Sequence, residues 1–220
     1  MLFLHGYLSS KEAFLRQINY FSNFYRVTAL DFLGFGQSAK LSEPFSVGDY
    51  ARWLEEKMRA LGLFRPHVVA HSFGCRVAVK LASQNKDAFS KIVLTGPAGI
   101  IINRGLIYKI KVKTYKAVKK FAPTFAQKRF GSKEYRSLSP IMRESYKKIV
   151  NEDLRVCARQ VLNEVLIIEG KKDRTTTLKE AQIYLQSFPN GVLQLIDGGH
   201  FAFVDNPTAF TLAVEEFLYD

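Results

Sequence analysis

Apolar residues are distributed along this chain in two alternating patterns. Short runs rich in β-branched and apolar residues occur at Met1–Leu4, Tyr25–Leu30, His67–Ala70, Lys91–Gly96, Glu164–Gly170 and Val192–Ile196. Between them, apolar positions recur at helical spacing. Ser10–Ser22, capped by Ser9 or Ser10, puts Phe14, Leu15, Ile18 and Phe21 on one face, and Asp49–Leu61 does the same with Leu54, Met58 and Leu61 beside Trp53. Phe73–Ser83, Thr177–Ser187 and Thr208–Leu218 are expected helices as well. Near-continuous apolar runs are strands buried on both faces, and strands that alternate with helices pair in parallel. The pattern therefore predicts an α/β fold with a mostly parallel sheet of about six strands flanked by helices.

Residues 100–160 break this rhythm. In Leu106–Phe121 the apolar positions Leu106, Ile107, Ile110, Ala117, Val118 and Phe121 follow a helical period, while Lys109, Lys113, Lys116 and Lys120 lie on another face. A second helical run, Pro140–Leu154, carries Ile141, Ser145, Lys148 and Ile149. The chain's net charge is +12, and residues 101–150 alone hold fourteen Lys and Arg against Glu134 and Glu144, so the whole excess sits there and the remainder is neutral. So sharp a change suggests an inserted element.

Length and composition narrow the class. With 220 residues, 47% of them hydrophobic and 24% charged, the chain suits one ordinary globular domain. Cys75 and Cys157 are far apart, at neither metal-ligand nor disulfide spacing, which fits a reducing, cytoplasmic compartment. The opening Met-Leu-Phe-Leu-His has no basic leader and too short an apolar run for a signal peptide, and no run reaches membrane-spanning length. Neither a cofactor nor a metal is expected. The basic charge comes without a recognised base-reading element, so nucleic acid is not an expected partner.

Candidate chemistry centres on His67–Ala78, His-Val-Val-Ala-His-Ser-Phe-Gly-Cys-Arg-Val-Ala. An apolar strand ends at Ser72, with small residues two positions away on each side, Ala70 and Gly74, and a helical pattern follows. A turn tight enough to thrust Ser72 out at the top of a sheet leaves no room for bulk at those two positions. Upstream stand His5-Gly6-Tyr7, directly after the first strand, and Asp31-Phe-Leu-Gly-Phe-Gly-Gln-Ser38, after the second. The latter lacks the third glycine and the Lys-Ser/Thr of a phosphate loop, and Asp31 is read as a loop organiser. Downstream, Asp173 follows a strand ending at Gly170, and His200 follows the last strand in Asp197-Gly-Gly-His200.

With these motifs the chain resembles the α/β-hydrolase superfamily, departing from its usual Gly-x-Ser-x-Gly at Ala70. The order serine, acid, histidine is the family's. The resemblance implies Ser72 as nucleophile, His200 as base and Asp173 as the acid that orients it, with the backbone N–H groups of Tyr7 and Phe73 as the oxyanion hole. It implies a core of residues 1–99 and 161–220 and a basic helical cap at 100–160. Relatives usually carry two further strands before the His-Gly turn, so the protein is naturally short or its start is misplaced. Asp153, Asp197 and Asp205 are rival acids, the last two close enough to His200 to shape its loop instead. His71 is read as a packing or loop histidine, His5 as part of the oxyanion turn and His67 as a strand-end residue.

A serine at the elbow, in place of the aspartate of dehalogenases and epoxide hydrolases, implies attack on a carbonyl. The expected activity is hydrolysis of a carboxylic ester or related acyl substrate, a small molecule. Thioesterase action, carbon–carbon bond hydrolysis and receptor-like ligand binding with little turnover are the alternatives. The basic cap either covers the pocket with lysines outward, lies on an anionic membrane surface, or steers anionic substrates inward. Oligomeric state is left open.

Overall fold

The chain is described here by a computed structural model covering residues 1–102, 135 and 137–219. The elements in order are β1 (Leu2–Leu4), a 3-10 turn (Lys11–Phe14) running into α1 (Leu15–Phe21), β2 (Thr28–Leu30), α2 (Val47–Ala60), β3 (Val68–His71), α3 (Phe73–Gln84) and β4 (Ile92–Thr95). After the segment outside the described residues come α4 (Pro140–Val150), α5 (Arg155–Ala158), β5 (Val165–Gly170), α6 (Leu178–Ser187), β6 (Gly191–Ile196), α7 (Ala202–Asp205) and α8 (Pro207–Tyr219). The six strands form one sheet in the order β2-β1-β3-β4-β5-β6, and every pairing is parallel. The α/β fold expected from the alternating pattern is therefore the fold observed.

The period of two along each strand divides the core. Leu2, Leu4, Val68, Ala70, Ile92, Leu94, Val165 and Ile167 face one layer, built from α2, α3, α4, α5 and α6. Phe3, Val69, Val93, Leu166 and Ile168 face the other, where Phe14, Phe21, Phe203 and Phe210 pack from α1, α7 and α8 and their approaches. Phe14 stacks on Phe203 with ring centroids 4.3 Å apart, tying the 3-10 turn before α1 to α7. Both faces are dry, which is why these strands carry no polar alternation.

Element ends follow local chemistry that periodicity alone did not register. The helix expected from Asp49 begins at Val47, because Ser46 and Asp49 form a reciprocal capping box: Asp49 N donates to Ser46 Oγ at 3.2 Å and Ser46 N to Asp49 Oδ2 at 2.7 Å. Thr177 and Glu180 cap α6 in the same way. The helix expected over Ser10–Ser22 is a 3-10 turn followed by α1. The run expected to continue to Leu154 stops at Val150 and resumes as the short α5.

The expected basic helix, with Lys109, Lys113, Lys116 and Lys120, lies outside the described residues. What is described of the 100–160 segment is not uniform. Leu154 and Ala158, inside the segment expected to form the cap but past its basic stretch, are fully buried in the same cluster as Ala70, Leu94 and Ile167. No helix among the described residues is long and apolar enough to cross a membrane. The packing of Leu154 generates a direct expectation: Leu154→Ala should cost about 2–5 kcal/mol in urea unfolding, as for a core leucine. A loss under about 1 kcal/mol would place residue 154 outside the core.

Candidate active site

In a parallel sheet the carboxyl ends of the strands share one edge, and the loops that leave them converge. Ser72 follows β3, Asp173 follows β5 and His200 follows β6, so topology alone gathers them at that edge.

Ser72 is the N-cap of α3, with φ 50° and ψ −105°, a strained conformation for a residue with a Cβ. A capping serine ordinarily turns its hydroxyl onto the helix N–H groups, but Ser72 makes no such bond. Its main chain is tied down instead: Ser72 N donates to Thr95 O on β4 at 3.1 Å, and its carbonyl accepts from Cys75 N at 3.1 Å. The small residues around it are a steric necessity. A Cβ on Gly74 would stand 2.5 Å from Leu4 O and 2.8 Å from His5 O, because α3 begins against the end of β1. A Cβ on Gly6 would meet His71 Nδ1 at 2.7 Å, which measures how closely the His5-Gly6-Tyr7 loop approaches the elbow.

That loop is held from below. His5 Nε2 accepts from Phe32 N at 3.1 Å, so its Nδ1 carries the proton and donates to Gly6 O at 2.7 Å. Burial pushes its pKa down, against the pull of that bond and of Asp31, keeping the ring neutral. Asp31 organises the loop after β2, accepting from Lys11 N at 2.7 Å and Gln37 N at 2.9 Å. Tyr7 and Phe73 then line the same cavity as Ser72, and neither of their backbone N–H groups donates to another group among the described residues.

His200 Nδ1 lies 2.7 Å from Asp173 Oδ2. Asp173 is itself fixed by Thr175 N at 2.6 Å and Thr176 N at 3.1 Å on Oδ1 and by the Thr176 hydroxyl at 2.9 Å on Oδ2. Burial alone would raise its pKa, but the bonds from His200, Thr175 and Thr176 outweigh that and hold it below the usual carboxylate range. With Nδ1 donating to a carboxylate, His200 Nε2 is the ring's free acceptor, and it makes no hydrogen bond among the described residues. The rival acids are elsewhere: Asp205 Oδ2 accepts Gly199 N at 2.7 Å and shapes the loop before His200, Asp197 pairs with Lys171 on the surface, and Asp153 pairs with Arg155.

Three residues that sequence reasoning did not place at the site are part of it. His71, buried beside the serine, has Nε2 3.0 Å from His200 O, and burial together with His200 pushes its pKa down to about 3. It is thus a neutral donor that fixes the His200 main chain. Thr176 Oγ1 stands 3.2 Å from His200 Nδ1 besides donating to Asp173. Glu169 is fully buried on β5, and neither of its oxygens meets a donor. Burial and the charge of Asp173 push its pKa up to about 9, so it is held protonated. Thr176 follows Asp173 closely enough for an Asx-type turn to have suggested it; Glu169 read only as the end of a strand.

The cavity lined by Ser72, His71, Thr176 and His200 holds about 790 Å³, and Leu138, Tyr146 and Ile149 from α4 and its approach line it as well. A profile of the alpha/beta hydrolase fold family matches residues 1–139, more than half of the chain. The chain belongs to the alpha/beta hydrolase fold family. Membership makes it a hydrolase. Its relatives within the family span several chemistries. It is 29% identical over 219 residues to the 2-hydroxymuconate semialdehyde hydrolase of Pseudomonas putida, an alignment covering 88% of this chain and 76% of that one. Its fold matches an esterase from Exiguobacterium antarcticum (TM-score 0.79, 21% identity, 100% of this chain and 91% of that one). It also matches an enol-lactonase from Burkholderia xenovorans (TM-score 0.77, 18% identity, 100% and 90%).

The protonated Glu169 gives this hydrolase a pH signature. Its folded pKa lies above the unfolded value, so the native state holds a proton that the unfolded chain releases. Its contribution is complete below about pH 4.5 and is lost as pH rises towards about 9. Glu169→Gln keeps the size and polarity of the protonated side chain without the titration. Urea unfolding should show the variant gaining on the wild type between pH 5 and pH 8.5. A difference that does not change with pH would mean Glu169 is ionised in the folded protein.

Proposed function

We propose that this protein is a serine hydrolase acting on a carboxylic ester or related acyl substrate through an acyl-enzyme on Ser72. The observation that carries the reading is the 2.7 Å contact between His200 Nδ1 and Asp173, which leaves Nε2 as the acceptor towards a cavity that Ser72 also lines. An unaided serine hydroxyl is a poor nucleophile at neutral pH; His200 Nε2 takes its proton as Oγ attacks the carbonyl carbon. Asp173 fixes the tautomer and stabilises the imidazolium that forms. The free amides of Tyr7 and Phe73 receive the oxyanion, and the start of α3 adds its positive end. His200 then protonates the leaving group, and water, activated by the same nitrogen, releases the acid. The 100–160 segment, part of which lines the cavity, acts as the cap.

Carbon–carbon bond hydrolysis is the second reading, favoured by the similarity to the 2-hydroxymuconate semialdehyde hydrolase. A receptor-like protein would bind an ester without multiple turnover. The reaction tests all three. Short-chain aryl esters should be turned over repeatedly, and Asp173→Asn should lower kcat by about 10⁴-fold, as expected when the imidazole takes the wrong tautomer. Asp205→Asn should have a much smaller effect. Nearly unchanged kcat in Asp173→Asn would remove Asp173 from the mechanism, and cleavage of vinylogous diketones in preference to esters would select the second reading.

Thr176 provides a finer test of the same geometry. Thr176→Val removes one charge-assisted bond to Asp173, so kcat should fall by roughly tenfold with KM little changed. An unaltered kcat would show that the two threonine amides suffice to hold the carboxylate.

A further inference from the structure

Arg76 lies on α3 one helical turn beyond Ser72, lines the same cavity, and is only 7% exposed. Residues four apart share a helix face, so its side chain and that of Ser72 belong to one wall. One edge of its guanidinium is committed: Nη1 donates to Ile149 O at 2.9 Å and to Glu152 O at 2.8 Å, where α4 ends. Among the described residues, Nε and Nη2 make no hydrogen bond and no carboxylate lies within ion-pair distance of the group.

A buried guanidinium without a counter-charge is costly, and the nearby acids among the described residues are already in use. The Glu152 carboxylate takes Lys80 Nζ at 2.8 Å. Asp153 is held by both Nε and Nη2 of Arg155, at 2.9 and 2.8 Å. Glu180, the carboxylate on the cavity wall, accepts Thr177 N at 2.6 Å and Thr177 Oγ1 at 2.9 Å in the capping box of α6. Burial draws the Arg76 pKa down from its ordinary value, the electrostatic mark of a cation short of partners.

Building on the serine-hydrolase reading, we propose that Arg76 is the anchor for a carboxylate on the substrate, so that this enzyme's substrates are anionic acyl compounds such as half-esters of short dicarboxylic acids. The free Nε–Nη2 edge is a planar fork that matches a carboxylate in bidentate fashion. One helical turn separates it from Ser72, a rise of about 6 Å, which suits an anionic group a few carbons from the scissile carbonyl. No bond changes at Arg76; its charge selects and orients.

The test has a binding arm and a turnover arm. In the Ser72→Ala background, calorimetry should show monomethyl glutarate binding, weakening with added salt, and dimethyl glutarate binding at least tenfold more weakly. Arg76→Gln in that background should remove the preference for the monoacid. Arg76→Lys, which keeps the charge and a donor for the α4 carbonyls but not the fork, should keep part of it. In the turnover arm, kcat/KM should be higher for the mono-aryl ester of glutaric acid than for the aryl butyrate. Arg76→Gln should raise KM for the anionic ester about tenfold while changing the neutral one less than twofold. Equal losses on both esters, or monoacid binding indifferent to Arg76, would overturn the proposal and leave Arg76 as a clasp for α4. Monoacid binding that depends on Arg76, with neither ester cleaved, would uphold the anchor and overturn the serine-hydrolase reading.

Discussion

The site rests on one crowded contact: the start of α3 pressed against the end of β1. Leu4 O and His5 O leave no space for a Cβ at Gly74, and this closeness is what forces Ser72 into its positive-φ conformation. Strain of this kind costs on the order of 1–3 kcal/mol and persists only where the surroundings over-determine it. Here they do so from both sides. β3 is paired to β4 along its full length and to β1 over Val68–Ala70, and Ser72 N continues the ladder to Thr95 O. The same crowding carries the His5-Gly6-Tyr7 loop up against His71 and Ser72. A sheet that loosened at β1 would release the serine, that loop and the start of α3 together.

On the histidine side the constraint is polar. Asp173 receives two amides, a hydroxyl and the imidazole, while His71 fixes the His200 main chain from beneath. Each of these donors lowers the cost of keeping a carboxylate out of water, and together they reverse the effect of burial on its pKa. Glu169, behind it, has no such donors and stays protonated, so two buried carboxyls of one strand end are driven to opposite charge states by what surrounds them. Division of this kind between neighbouring carboxyls is a frequent mark of functional sites.

Much of this was legible in the sequence, for physical reasons. Doubly buried strands must be apolar, so β1, β3, β4 and β5 could be read directly as apolar runs, and the partly exposed edge strands β2 and β6 from their apolar runs between helices. Parallel topology puts every strand's carboxyl end on one edge, so Ser72, Asp173 and His200 could be gathered without coordinates. Helix starts were unevenly legible: α6 begins where Thr177 was read, whereas Ser46 acts through capping geometry rather than periodicity and starts α2 at Val47. Arg76 and Glu169 were silent because a charged residue in an apolar helix, or at a strand's last turn, is marked out only by the partners it lacks. Leu154 and Ala158 fall in the segment expected to form a separate cap but pack in the core cluster, since charge describes a surface and says little of what lies under it.

The central claim is that Ser72 is the nucleophile, and covalent trapping tests it most directly. After treatment with a fluorophosphonate, intact-protein mass should rise by one phosphonyl group, peptide mapping should put it on Ser72, and Ser72→Ala should stay unmodified. Full labelling of the Ser72→Ala protein, or an adduct mapped to any other residue, would contradict the account.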